Sequence, residues 1–238
     1  MYFVLSGEGP SDIGTCNVES NQCSGDEFVP GAMAVIVDQL VEISHGYSFL
    51  ESGHYLFVNE SQLNQVSKQL VTLKKSPRLP GLKQKRETGF FYKNARAIAL
   101  IAKDKKRELK DDVVAVLFRD SDGTASADRG LWKDKRKSMI KGFDDEQFDR
   151  GIPMIPKPKS EAWLICALKE NAYQHCNSLE DRSGSDHSPN NLKDELAEML
   201  DGRPVRELPQ MVVNREIDVA RITMPSFMAF KGDLLEVI

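Results

Sequence analysis

The chain of 238 residues is 40% apolar and 29% charged, with a net charge of -4, which suffices for one good-sized core and at most a small appendage. No stretch approaches eighteen consecutive apolar residues, and the opening Met1 to Glu8 lacks the basic leader and long apolar run of a secretory signal, so a soluble, cytoplasmic protein is expected. The acidic balance argues against coating nucleic acid by bulk electrostatics.

Taken in chain order, Tyr2 to Ser6 reads as a buried strand stopped by Gly7-Glu8-Gly9-Pro10. Residues 11 to 30 are polar, without periodicity, and read as a loop. Met33, Ile36, Val37, Leu40 and Val41 recur at helical spacing, predicting a helix from about Gly31 to Ser44. Tyr55 to Val58 reads as a second strand and Ser61 to Leu73 as a second helix. Lys74 to Glu87 is read as an exposed basic loop, and Phe90 to Leu109 as a long helix with a lysine-rich end.

Val113 to Phe118 is the strongest strand: β-branched and continuously apolar, so central and covered on both faces. It runs into Arg119-Asp120-Ser121-Asp122-Gly123-Thr124. A basic helix from about Ala127 to Gly142, a strand at Gly151 to Ile155 and a helix from Ser160 to Leu168, capped by Ser160, come next. Residues 177 to 191 read as a polar connection. Short helices are expected near Leu192 to Leu200, Arg215 to Ala220 and Ser226 to Val237. Alternating strands and helices predict a mostly parallel α/β sheet.

Charge is segregated along the chain. From Lys68 to Lys110 fourteen Lys or Arg face three acids, Glu87, Asp104 and Glu108, and Arg129 to Lys141 carries six against Asp134. Solvated helix faces explain such runs; so does a positive track beside an acidic metal pocket, as a polyanionic substrate would need. The four cysteines, at 16, 23, 166 and 176, are too few and too irregular for a disulfide framework, so reduced thiols are expected. A zinc site from Cys16, Cys23, His175 and Cys176 lacks the usual ligand spacing. The histidines show no triad spacing.

Ligand sites in open parallel sheets lie beyond the carboxyl ends of the strands. Two segments place acids there: Glu8, with Asp12 shortly after, and Asp120 with Asp122. Residues i and i+2 leaving a strand point the same way, so Asp120 and Asp122 can face one pocket. Converging carboxylates repel unless a hard cation holds them, and Mg2+ or Mn2+ fits oxygen-only ligands. Either segment alone is an ordinary turn composition; their pairing carries the signal.

An apolar strand followed by Glu8-Gly9-Pro10-Ser11-Asp12, then a later strand ending in Arg119-Asp120-Ser121-Asp122, resembles the Toprim domain of topoisomerases, primases and the overcoming-lysogenization-defect nucleases. Ile152 to Leu164, including Lys157, Lys159, Ser160 and Glu161, is similar to a segment of small bacterial Toprim proteins linked to defence. The likeness spans residues 1 to about 170. It implies a Toprim-like catalytic domain over 1–170, a basic helical insertion over 61–109 that is long for a minimal core, and a helical C-terminal extension over 171–238.

The resemblance further implies Mg2+- or Mn2+-dependent hydrolysis of phosphodiesters in DNA or RNA. A defence-system ATPase would be its partner protein, a homo-oligomer is compatible, and no membrane is involved. Glu8, Asp120 and Asp122 are then catalytic metal ligands and Asp12 a further ligand. Lys159 would neutralise transition-state charge, while Lys83, Lys85, Arg86, Lys157 and Glu161 would contact substrate. Glu161 would equally serve the helix dipole, and Trp163 reads as core.

Two rivals stand beside this reading. Val116 to Thr124 also looks like the Asp-x-Asp-Gly-Thr nucleophile loop of haloacid-dehalogenase-like phosphatases, with Asp120 as nucleophile and Asp144, Asp145 and Asp149 as its downstream acids. A non-catalytic partner protein would use the basic surface for docking alone.

Overall fold

A computed structural model describes residues 1–73, 86–121, 131–171 and 174–238. Its first half runs β1 (Tyr2–Gly7), a wide helical turn at Gly9–Ile13, β2 (Gly14–Cys16), β3 (Gln22–Cys23), β4 (Phe28–Pro30), α1 (Ala32–His45), β5 (Tyr55–Val58), α2 (Glu60–Leu73) and α3 (Arg86–Leu109). The second half runs β6 (Val113–Phe118), α4 (Trp132–Asp145), β7 (Gly151–Met154), α5 (Ser160–Leu168), α6 (Cys176–Leu179), α7 (Leu192–Met199), α8 (Leu208–Val213) and α9 (Pro225–Val237).

The main sheet has the order β3-β5-β1-β6-β7. β1 pairs in parallel with β5 and β6, and β6 with β7, while β3 adds an antiparallel edge. The mostly parallel α/β sheet read from the sequence is therefore present. Every residue of β6 is fully buried, and alternate side chains enter two cores. Val114, Val116 and Phe118 join Phe3, Leu5, α1, α5 and α9 on one face. Val113, Ala115 and Leu117 join Val4, α3 and α4 on the other. A strand covered on both faces has no use for polar alternation, which is why its sequence is uniformly apolar.

α5 anchors the C-terminal helices to this frame. Trp163 is fully buried, stacks on Phe230, meets Phe227 edge-on, and donates its indole N–H to Ser226 Oγ at 2.9 Å. It is core, as its position suggested. Gln39 of α1 reaches the same region, donating to the Val212 carbonyl at 2.8 Å and accepting from the Val219 N–H at 3.2 Å. Both its polar ends are thereby satisfied inside the fold.

Several expectations change. Residues 11 to 30 are not irregular throughout: β2 pairs with β4, and β3 with β5. Pieces of two or three residues are too short to leave a periodic pattern. The cysteines are not reduced thiols. Cys16 pairs with Cys23 and Cys166 with Cys176, with Cα separations of 5.8 and 5.4 Å. Bridges seven and ten residues apart are local staples, which spacing rules for larger frameworks overlook, and they remove the zinc alternative. Because disulfides persist mainly in oxidising compartments, the thiol argument for a cytosolic location goes too. No helix among the described residues is long and apolar enough to cross a membrane.

The helix expected at Arg215 to Ala220 is instead α8, Leu208–Val213, followed by a short turn at Val219–Arg221. Arg215 has a φ of 60°, a left-handed conformation that does not continue a helix.

Candidate carboxylate site at the strand ends

Parallel pairing puts Gly7 opposite Phe118, so β1 and β6 release their next residues at the same sheet edge. Glu8 exploits this at once. One of its oxygens accepts the Asp120 backbone N–H at 2.8 Å, and the other accepts the Arg119 guanidinium at 2.6 Å. Glu8 thus latches the exits of the two strands together. Arg119 is held in turn over the Phe90 ring, 4.0 Å from its centroid, and lies 3.5 Å from Glu60.

Past Glu8 the chain turns back through Gly9, whose φ of 81° suits glycine. A Cβ there would sit 2.4 Å from Asp12 Oδ2. Absence of a side chain at residue 9 therefore lets the Asp12 carboxylate fold against the turn. The start of α5 supplies the third side of the site. Ser160 donates its N–H to Asp120 Oδ1 at 2.9 Å and its hydroxyl to Asp12 Oδ1 at 2.5 Å, and that hydroxyl lies 3.4 Å from Glu161 Oε2. Ser160 is consequently not the helix cap. Lys159 occupies that position, and the hydroxyl read as a cap ties Asp12 to the helix end, while the Ser160 N–H ties Asp120 to it.

Four acids now share a small volume, and the ionisation of Asp120 and Asp12 responds. Asp120 is pushed well above the ordinary carboxylate range, first by burial and then by the charges of Asp12, Glu161 and Glu8, against the opposing Ser160 N–H. Asp12 is raised by burial and, less strongly, by Glu161, with the Ser160 hydroxyl working against the shift. Both are signs of negative charge crowded without full compensation.

Cations ring this pocket. Lys159, itself buried, pairs with Asp186, and Lys193 reaches the same carboxylate at 2.7 Å. Lys193 also lies within the field of Glu161 and Asp12. On the other side, the buried ammonium of Lys135 donates to the Ser121 carbonyl and sits 5.5 Å from the Phe91 ring centroid. Ser121 completes the β6 exit, donating its N–H to Pro156 at 3.2 Å and its hydroxyl to Pro158 at 3.1 Å.

Glu8, Asp12, Asp120, Lys159 and Glu161 are therefore brought together. Lys157 is more peripheral, 3.5 Å from Asp181. Asp122, Lys83 and Lys85 lie outside the described residues, and Arg86 opens α3. The end of the basic run does not border the pocket: α3 leads into the start of β6, at the opposite end of the sheet. There Lys105, Lys106 and Arg107 pair with Glu108, Asp112 and Asp104.

Asp144, Asp145 and Asp149 also lie beyond the amino end of β7. Asp145 accepts from the Tyr92 hydroxyl at 2.5 Å, and the other two line a cavity of about 610 Å³ with Arg150 and Asp233. They are remote from Asp120, which withdraws the support they lent to a phosphatase.

Sequence reading missed Lys135, Lys193, Asp186 and the bridging role of Ser160. A signal existed for Lys135, which interrupts the apolar stripe Trp132, Met139 and Phe143 at helical spacing. Asp186 gave none, because its segment has no periodicity.

Oxygen-only donors around Asp120 suit a hard divalent cation. Among the described residues, however, no group of three or more Asp, Glu, His or Cys is arranged to hold a metal ion. The donor chemistry fits while the described ligand set is incomplete. The class that fold and site define is an α/β protein with a crowded, cation-ringed carboxylate pocket at the carboxyl ends of two adjacent parallel strands. No family model, curated protein or solved structure matches the chain.

Proposed function

We propose that this protein is a divalent-metal-dependent nuclease of Toprim type, hydrolysing phosphodiester bonds in DNA or RNA with Mg2+ or Mn2+. The observation that carries the reading is the burial of Asp120 among Asp12, Glu161 and Glu8: burial first, and then their charges, lift it out of the ordinary carboxylate range. A pocket that disfavours its own ionised state gains most from a bound cation.

In this reading Glu8, Asp120, Asp122 and Asp12 would hold the metal. A divalent cation held there would supply Lewis acidity toward the phosphodiester and a more acidic water. The remaining work falls to the chain itself. Glu8 fixes the Asp120 backbone, Ser160 orients the carboxylates of Asp12 and Asp120, and Lys159 offsets charge developing on the phosphate oxygens.

Incubating the protein with plasmid, single-stranded DNA and tRNA, with Mg2+, Mn2+ or chelator, tests the reading. Cleavage is expected only with metal, and Glu8→Gln should reduce it at least about a hundredfold. A Glu8→Gln protein that cleaves at the parental rate would overturn it, as would turnover of a phosphomonoester alone.

A further inference from the structure

Lys159 is 8% exposed, and a buried ammonium is costly unless an anion faces it. The anion here is Asp186, from the irregular segment joining α6 to α7. Its other oxygen takes the ammonium of Lys193, in the first turn of α7, at 2.7 Å. One acidic group thus spans two lysines, one oxygen to each, beside Asp12 and Glu161. Two non-bridging oxygens of a phosphate present the same pair of acceptors with greater charge.

The three partners differ in how firmly they are held. Lys159 is fixed at the start of α5, next to the residue that binds Asp12 and Asp120. Lys193 stands on a helix packed against α5. Asp186 is half exposed and belongs to neither helix, so it is the exchangeable member.

We propose that Lys159 and Lys193 form a phosphate subsite at the rim of the carboxylate pocket, that Asp186 is its internal occupant, and that a nucleic-acid backbone phosphate displaces it. The proposal deepens the nuclease reading and takes its ligand class from it. The subsite would seat a phosphate next to the carboxylates, and Asp186 would keep Lys159 neutralised when no substrate is present. It also sets affinity, since every incoming phosphate has to displace a carboxylate.

The test measures binding rather than cleavage, in chelator throughout. Inorganic phosphate is titrated by calorimetry, and a labelled single-stranded oligonucleotide by fluorescence anisotropy. Relative to the parent, Asp186→Asn should bind both about tenfold more tightly, the step expected when one charged competitor of about 1.4 kcal/mol is removed. Adding Lys193→Gln to Asp186→Asn should abolish the gain, and Asp186→Glu should bind like the parent.

Circular dichroism of each variant, with and without phosphate, checks folding. Phosphate should raise the melting temperature of Asp186→Asn and leave that of the double variant unchanged. Equal phosphate affinity in parent and Asp186→Asn would overturn the subsite, as would a gain that survives loss of Lys193. A gain for phosphate without one for the oligonucleotide would overturn the nucleic-acid backbone as ligand. Tight binding of both by a protein that cleaves nothing would keep the subsite and defeat the nuclease.

Discussion

The carboxylate pocket and the Lys159–Asp186–Lys193 bridge adjoin, yet treat negative charge in opposite ways. In the pocket, burial and mutual repulsion raise Asp120 and Asp12 above ordinary carboxylates. In the bridge, hydrogen bonds from Lys159 and then Lys193 hold Asp186 down to about 2. The pocket wants positive charge that the described residues do not fully supply; the bridge already contains it. Together they form a site polarised across a few side chains, with repelling carboxylates on one side and an acid paired to two ammoniums on the other.

Substitution should separate the two sides by sign. The largest expected effect is on activity, where Asp120→Asn should lose at least about a hundredfold in cleavage. In chelator, though, the same change should raise the melting temperature, because asparagine keeps an acceptor for the Ser160 N–H and removes a disfavoured charge. Asp186→Asn should lower it, by about 1 kcal/mol of stability after solvent screening, because two ammoniums lose their anion. Destabilisation by both substitutions would break the contrast.

Metal should act on the pocket alone. At a hundred times its dissociation constant, Mg2+ should add about 2.7 kcal/mol to stability. Asp120→Asn should lose most of that gain and Asp186→Asn should keep it, both read by thermal unfolding. A parent protein that melts identically in Mg2+, Mn2+ and chelator would remove the cation side of the comparison. Breaking the Cys166–Cys176 link, which ties α5 to α6 upstream of Asp186, should cost about 2.7 kcal/mol on a loop-closure estimate. Comparing the parent with Cys166→Ser, both without reductant so that Cys16–Cys23 stays closed, measures it.

These contrasts also show what the sequence could convey. Val113 to Phe118 announced a doubly covered central strand because burial on both faces leaves a continuous apolar signature. Glu8, Asp12 and Asp120 were legible because each follows such a strand, and parallel pairing gathers the residues after adjacent strands. Ser160 was seen but given the wrong partner: its helix-start position suggested a cap, whereas its hydroxyl is claimed by Asp12, distant in sequence. Lys193 and Asp186 meet Lys159 only through the packing of α7 on α5, which depends on tertiary contacts that local pattern does not encode. The cystines were missed because two local bridges look, in sequence, like scattered thiols.

The smallest expected effect, and the one that resolves both sides in one experiment, is the pH dependence of stability in chelator. Asp120 and Asp12 have raised folded-state values. Their contribution is therefore full below the ordinary value of 3.8 and is lost as pH rises through the raised values. Asp186 is depressed to about 2 from 3.8, so its contribution is present above 3.8 and lost as pH falls toward 2. Above 3.8, where Asp186 is ionised in both states, only the pocket should act, and acidification should stabilise. Below that range the bridge should come apart and reverse the trend. Asp38 and Asp233 are also raised by burial, so the readout is a difference between proteins: parent minus Asp120→Asn isolates the pocket, and parent minus Asp186→Asn the bridge. Saturating Mg2+ should flatten the pH dependence of the first difference, since protons and metal compete for the same oxygens, and leave that of the second in place. Parallel melting-temperature profiles for the parent and Asp120→Asn would show that the crowded carboxylates do not repel one another as their geometry requires.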